Sequence, residues 1–318
     1  MGGLLAAAGH RVTLLARPPV IDDISNNGLT LSDFSGLSRQ IPADRLTLSD
    51  SADCLAAAGL VLVTVKTGAT AEMGDLIARN TPRSTSVISL QNGLEGVETL
   101  RAALPDRDVR AAMVPFNVVP TGPGLYHRAT SGDIVLQAGP GALAAQLSVP
   151  GLTVTETPDI TAIQWGKLVI NLANALNALS GLTLHDMLMS RDWRCLMAEQ
   201  MAEALVVLSA AGISLKSTTP MPARLIPFVL RLPTPVFIRI AAQMLTIDPT
   251  ARTSMAYDLL QKRRTEIGSL QGAIIALGQT HGVPTPILDR VAQAIRDAEA
   301  AGQGAPGLTP QSLRFAAV

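Results

Sequence analysis

Up to about Pro158 the chain alternates short apolar runs with helix-patterned segments, and beyond that point the strand signal stops. Gly59-Leu60-Val61-Leu62-Val63-Thr64-Val65-Lys66 is a continuous apolar run ending on a polar residue, and residues 69–79 are helical. Residues 85–90 form another apolar run, closed by Gln91-Asn92-Gly93, and residues 94–104 are helical up to Pro105. Apolar runs of this length, bounded by turn residues and separated by helices, predict a parallel sheet covered on both faces. Residues 109–119 and 132–137, with the turn-rich Pro120-Thr121-Gly122-Pro123-Gly124 between them, are expected at the far edge of the same sheet. After Pro158, residues 161–179, 191–211, 255–281 and 287–300 carry helical periodicity joined by short Gly-containing connections, the pattern of a helical bundle.

Near the start, residues 3–8 form a small-residue helix ending at Gly9, and His10-Arg11-Val12-Thr13-Leu14-Leu15-Ala16-Arg17 reads as a buried strand. Helix, glycine, strand and a terminal charge make up the second half of a nucleotide-binding βαβ unit. The first strand and its Gly-x-Gly-x-x-Gly loop are missing, since nothing precedes Gly2-Gly3 that could be that strand. About a dozen residues of such a unit are therefore expected upstream. A late-called start codon or a degenerate domain would each explain this. The predicted architecture is an α/β Rossmann-like domain at residues 1–158, lacking its first strand and glycine-rich loop, followed by an all-α domain at residues 159–318.

Composition narrows the partners. Twenty-five basic residues balance twenty-five acidic ones, and no basic stripe interleaves with aromatics, so nucleic acid is not expected. Cys54 and Cys195 lie far apart in apolar patterns and read as buried reduced thiols, and the four histidines lack metal-ligand spacing, so no metal is expected. Residues 225–247 are very apolar, but Arg231, Arg239 and three prolines interrupt them. A membrane span needs roughly 20 uncharged apolar residues. A kinked, buried helical segment or pocket lid, in a cytoplasmic protein without a signal peptide, is the expectation.

Chemistry concentrates in two places. Lys167, Asn171 and Asn174 fall at i, i+4 and i+7 of an apolar helix, and on a regular helix the third returns to within about 20° of the first. A solvated stripe would explain this, but asparagine is a mediocre helix former. A protonated lysine beside a ketone can stabilise the developing alkoxide and give it a proton, while asparagines orient carboxylate or hydroxyl groups. Ser254 and Asp258 are helical neighbours, and Glu266 lies twelve residues beyond Ser254, about 18 Å along an unbroken helix. Taken alone, Glu266 reads as a surface ion pair with Lys262, Arg263 or Arg264. In the first half, Lys66 and Asn92 follow strand carboxyl ends, where ligands of open α/β sheets bind. Arg17 ends the second strand of the unit, where an arginine suits the 2′-phosphate of NADP.

Taken in order, Ala7-Ala8-Gly9-His10-Arg11-Val12 with Arg17, the strand ending in Lys66, Gln91-Asn92-Gly93 and residues 124–132 resemble the 2-dehydropantoate 2-reductases (ketopantoate reductases). The resemblance continues through Trp165-Gly166-Lys167-Leu168 with Asn171, Ser254-Met255 with Asp258, Arg264-Thr265-Glu266-Ile267 and His281-Gly282-Val283-Pro284. It implies a two-domain reductase that uses NADPH to convert ketopantoate to pantoate in pantothenate and coenzyme A biosynthesis, in a cleft that closes over both ligands. Lys167 would be the proton donor. Asn92, Asn171, Asn174 and Ser254 would hold the 2-keto acid, and Arg17, Lys66, Asn92 and Glu266 would contact NADP. A homodimer is the candidate assembly.

The sequence also departs from the family. The asparagine expected eight residues after the lysine is Ala175, leaving Asn174 or Asn177 to substitute, and another, eighteen after it, is His185. A reductase of a different 2-keto acid is thus a rival reading, and a non-catalytic relative is another. Retention of Lys167, Asn171, Ser254 and Glu266 argues against the second.

Overall fold

The computed structural model describes residues 1–219, 221–242 and 250–315, and the chain divides into two compact units, Met1–Ile160 and Thr161–Val318. In the first unit a short helix, α1 (Gly2–Ala7), leads to β1 (Thr13–Leu15), α2 (Pro18–Asn27), β2 (Leu29–Asp33), β3 (Ser38–Ile41) and β4 (Thr47–Ser49). Next come β5 (Leu60–Val63), α3 (Thr70–Asn80), β6 (Ser86–Ser89), α4 (Glu95–Ala103) and β7 (Val109–Met113). The unit closes with β8 (Val118–Gly122), β9 (Leu125–Arg128), β10 (Ile134–Gln137), α5 (Leu143–Leu147) and β11 (Val154–Thr157).

The main sheet has five strands in the order β11-β10-β7-β6-β5. β5, β6 and β7 run parallel, with Val61 opposite Val87 and Ile88 opposite Arg110, as the apolar runs at residues 59–66 and 85–90 predict for the first two. Ile88, Ile134 and Leu136 are buried in one core with Leu4 and Leu5 of α1 and Leu147 and Leu152. β1 pairs only with β4, and β5 ends the five-stranded sheet; among the described residues neither has a second partner. The strand expected over residues 10–17 is confined to Thr13–Leu15 and is partly exposed.

Residues 118–128 do not extend the main sheet. β8 and β9 form a hairpin within a separate four-stranded sheet, β3-β2-β9-β8, in which β9 runs parallel to β2. The pairing partner lies 95 residues away, as in the 2.9 Å Ser32–His127 hydrogen bond, so local pattern could not reveal it. A buried ion pair joins Asp33 to Arg128 on the same two strands. Burial opposes ionisation of Asp33, but hydrogen bonds from Ser35, Leu37 and Arg128 outweigh it and hold the carboxyl well below the usual range.

The second unit is helical: α6 (Ile160–Asn171), α7 (Ala173–Ser180), α8 (Leu184–Met189), α9 (Arg191–Ala210), α10 (Ile226–Arg231), α11 (Thr234–Ile240), α12 (Ser254–Leu260), α13 (Ala273–His281), α14 (Pro286–Ala301) and α15 (Pro310–Phe315). α9 is central and packs against α7, α8, α10, α13, α14 and α15. Its Glu203 accepts the Ile287 and Leu288 N–H groups at 2.9 Å, capping α14. Its Arg194 is fully buried without a carboxylate partner among the described residues. The guanidinium instead donates to the carbonyls of Leu188, Met189, Leu230 and Leu232 and stacks 4.2 Å from the Phe237 ring.

The segment from residue 225 is kinked at Leu232-Pro233, but its expected burial holds only in part. Leu225, Phe228, Val236, Ile238 and Ile240 are exposed, and residues 243–247 lie outside the described residues. The stretch after Gly302, expected to be loose, is tied down: Leu308 N–H donates to Leu179 O at 2.9 Å, and Arg314 pairs with Glu199 at 2.9 Å. Cys54 and Cys195 are free thiols but only half-buried.

The helix expected over residues 255–281 is interrupted. α12 stops at Leu260, where Lys262 adopts φ 53°. Arg263 N–H donates to Asp258 O at 2.8 Å and Lys262 N–H to Leu259 O at 3.0 Å, the paired bonds of a Schellman cap. Glycine usually fills that left-handed position, and a side chain there costs about 1–2 kcal/mol. A π-helical turn at Gly268–Gly272 then leads into α13.

One cross-link fixes where α12 begins. Asn177 on α7 is 0 % exposed; its Oδ1 accepts Thr253 N–H at 3.0 Å and its Nδ2 donates to Leu182 O at 3.0 Å. Thr253 Oγ1 donates to Asn174 O at 3.1 Å. Asn177→Ala strands the buried Thr253 N–H, while Leu182 O keeps its bond from Arg252 Nη1 at 3.1 Å, and should cost about 1–3 kcal/mol in denaturant unfolding. Asn177→Asp keeps the acceptor for Thr253 but puts a carboxylate oxygen against Leu182 O in the core, and should destabilise as well.

Candidate active site

α6 places Lys167 and Asn171 one turn apart on the same face, while Leu168, Val169 and Leu172 fill the core behind them. Gly166 allows this helix to be covered closely. Lys216 N–H donates to Ala162 O at 2.9 Å, and a Cβ at residue 166 would stand 1.8 Å from Lys216 O, so any side chain there would push the strap off α6. Burial of Lys167 lowers its ammonium pKa to about 8, and the Glu266 carboxylate acts against that fall.

Glu266 comes near Lys167 because the predicted long helix does not exist. The left-handed turn at Lys262 redirects the chain, so 1.5 Å of rise per residue no longer measures its distance from Ser254. Thr265 N–H donates to Glu299 Oε1 at 2.7 Å, and Glu266 O accepts Ser269 and Leu270 N–H at 3.1 Å, anchoring the segment on both sides. Arg263, one of the suggested ion-pair partners of Glu266, instead reaches Asp258 at 3.1 Å.

The stripe expected to include Asn174 is modified by a break at Leu172, which ends α6 and starts α7. Leu172 O accepts Nε2 of the buried Gln271, which also donates to Gln200 at 3.2 Å. Asn174 is half-buried, and its carbonyl is taken by Thr253. Asn177 is sealed in the core, with both polar atoms of its side chain bonded to backbone groups. Ser254 is exposed as the first residue of α12, directly after the anchored Thr253.

In the first unit, Arg17, Lys66 and Asn92 each follow the carboxyl end of a parallel strand, β1, β5 and β6 respectively. Arg17 and Lys66 are exposed and Asn92 is half-buried. Gln91 shapes two of these positions: its Nε2 donates to Val65 O at 2.8 Å and Thr70 Oγ1 at 2.7 Å, and its Oε1 accepts from Ser89 Oγ at 3.0 Å. Gly96 makes room for that amide, since a Cβ there would lie 2.4 Å from Gln91 Oε1. In the sequence Gln91 was visible only as part of a turn; the glycine five residues on was the one local sign of its packing.

Lys167, with Asn171 one turn on, thus lies near Glu266 in the helical unit, Ser254 follows the anchored Thr253, and Arg17, Lys66 and Asn92 each follow a strand end, the first on the β1–β4 pair and the other two on the main sheet. Among the described residues no group of three His, Cys, Asp or Glu side chains could hold a metal ion, and no helix is long and apolar enough to cross a membrane.

The model of the family described as ketopantoate reductase PanE/ApbA matches residues 1–141, and that of its C-terminal domain matches residues 159–299. A 2-dehydropantoate 2-reductase of Halobacterium salinarum is 25% identical over 311 residues, covering 95% of each chain. The crystal structure of a PanE/ApbA family ketopantoate reductase from Ralstonia eutropha superposes with a TM-score of 0.80 at 30% identity, over 95% of each chain. A D-mandelate dehydrogenase, solved with NADH and anilino(oxo)acetate, shares the fold at a TM-score of 0.76 and 20% identity, over 95% of this chain and 94% of its own. With an α/β unit of Rossmann type, a helical unit, and both family models matched, the chain belongs to the ketopantoate reductase family of oxidoreductases.

Proposed function

We propose that the chain reduces 2-dehydropantoate to pantoate with NADPH, a step of pantothenate biosynthesis, and that Lys167 is its proton donor. The observation that carries this reading is the half-buried lysine whose pKa lies at about 8 and which Glu266 helps keep charged. A group so poised is protonated at neutral pH yet can release its proton. NADPH supplies hydride to the carbonyl carbon. Lys167 Nζ stabilises the charge that develops on the carbonyl oxygen and gives it a proton, so the carbonyl becomes a hydroxyl and the lysine is left neutral. Asn171 and Asn174, with Ser254, are assigned to holding the keto acid, and Asn92 to contacting both ligands.

The dinucleotide fits the residues at the carboxyl edge of the first unit. Arg17 and Lys66 are exposed cations after β1 and β5, the first suited to a 2′-phosphate and the second assigned to the NADP side, and the Gln91 clamp sets the turn that carries Asn92.

A different 2-keto acid is a second reading, and one observation favours it. Ala175, where the family carries a substrate asparagine, is fully buried and offers no polar group. Steady-state rates across a panel of 2-keto acids, including aryl ones such as the D-mandelate dehydrogenase relative suggests, separate the two readings.

Lys167→Ala should lower kcat by about 10²–10⁴-fold while leaving NADPH affinity nearly unchanged. Near-normal turnover would remove the lysine from its role. Because the donor must start protonated, reductive kcat should be level below about pH 8 and fall above it. Glu266→Gln removes the charge that favours the ammonium, so the break should move to lower pH; an unmoved break would refute the coupling. Arg17→Ala should weaken NADPH much more than NADH, and equal losses would refute the 2′-phosphate contact.

A further inference from the structure

Gln271 is 0 % exposed and sits in the π-helical turn at Gly268–Gly272. Its Nε2 donates to Leu172 O at 2.9 Å and to Gln200 Oε1 at 3.2 Å. A carbonyl can only accept, so Nε2 is the atom that faces Leu172. Its Oε1, and the Nε2 of the equally buried Gln200, have no hydrogen-bond partner among the described residues. Apolar side chains would fill this core at less cost than a half-satisfied pair of amides. Packing alone therefore does not call for Gln271.

The amide joins the two segments that carry Lys167 and Glu266. On one side, Glu266 O accepts the Ser269 and Leu270 N–H groups at 3.1 Å, and Gly272 N–H donates to Ile267 O at 3.0 Å, so Glu266 and Gln271 belong to one hydrogen-bonded coil. On the other side, Leu172 N–H donates to Leu168 O at 3.1 Å, and Leu168 directly follows Lys167. Single π-turns of this kind are frequent at functional sites. Glu266 is the charged group whose field favours the Lys167 ammonium. The carboxylates on neighbouring elements are engaged elsewhere: Glu203 accepts Ile287 and Leu288 N–H, Glu299 accepts Thr265 N–H, and Asp258 pairs with Arg263. Lys216, on the strap over α6, and Arg264, two residues before Glu266, are cations and act in the opposite sense. Coulombic support weakens with distance, so it depends on how firmly the Glu266 coil is held to α6.

We infer that Gln271 is a positioning residue: by gripping Leu172 O it holds the coil that carries Glu266 against the end of α6, and so fixes the spacing between the Glu266 carboxylate and the Lys167 ammonium. Its consequence for turnover rests on the reading of Lys167 as proton donor, whereas the spacing is a property of the resting protein.

The chain has four lysines, Lys66, Lys167, Lys216 and Lys262, few enough for each ¹³C-labelled Cε signal to be assigned by substitution. NMR titration of the full chain then reads the Lys167 ammonium directly, without substrate. Gln271→Met, which fills the space without the amide, should lower that pKa by about half a unit or more. Gln271→Asn, whose amide stops one methylene short of Leu172 O, should do the same and serves if the methionine variant does not fold. Gln200→Met disturbs the same core but leaves the Leu172 bond, and should leave the titration in place. In a Glu266→Gln background, Gln271→Met should bring no further fall, because the charge it positions is gone. An unmoved Lys167 titration in the Gln271 variants, an equal fall in Gln200→Met, or a full further fall in the double variant would overturn the role. The pH break of reductive kcat should follow the NMR titration in every variant. A break that stays while the titration moves would count against Lys167 as proton donor and leave Gln271 in its role.

Discussion

An ammonium drawn out of water must be compensated or give up its proton, and the helical unit is arranged around that constraint at Lys167. Burial alone drives its pKa down, and the Glu266 carboxylate opposes the fall, leaving it at about 8. Neither group achieves this from its own element. Lys167 sits on α6 behind the closely seated Lys216 backbone, and Glu266 arrives on a segment that has left the α12 axis. The nearness of Glu266 to Lys167 therefore rests on a helix that ends where its periodicity would have continued.

Breaks of this kind leave backbone groups inside an apolar bundle, and each orphaned group costs stability unless a partner reaches it. Side-chain amides and one guanidinium do that work here. Gln271 takes the carbonyl at the α6–α7 break, Asn177 takes the N–H at the start of α12, and Arg194 collects the carbonyls around α10. These buried polar groups bond to backbone groups of the same unit. They specify which of several possible helix ends is adopted, and so set where Asn171 and Ser254 stand. The same logic operates in the α/β unit, where Gln91 ties the β5 and β6 ends to α3.

Much of this was legible in the residues. The aliphatic runs at 60–63 and 86–89 became parallel strands because their composition suits burial on both faces. The switch to helices near Pro158 is where the second unit starts. Lys167, Asn171, Ser254 and Glu266 stood out as polar groups in helix-patterned apolar sequence. The register of the second sheet was not legible, because β2 meets β9 across a long stretch of intervening chain. The break at Lys262 was hidden as well, since a lysine there carries none of the signal that a glycine would. Asn177 and Gln271 looked like candidate ligands or ordinary helix residues, because burial and partner are not local properties.

By itself the sequence determined the class of each half and the polar residues that no apolar core requires, because periodicity and residue type act over a few neighbours. Only the tertiary structure decided that Glu266 comes near Lys167, that Asn177 anchors Thr253, and that the helix begun at Ser254 ends at Leu260. Those outcomes depend on where helices end and which backbone groups need a partner, and such matters are settled by packing between segments far apart in the chain.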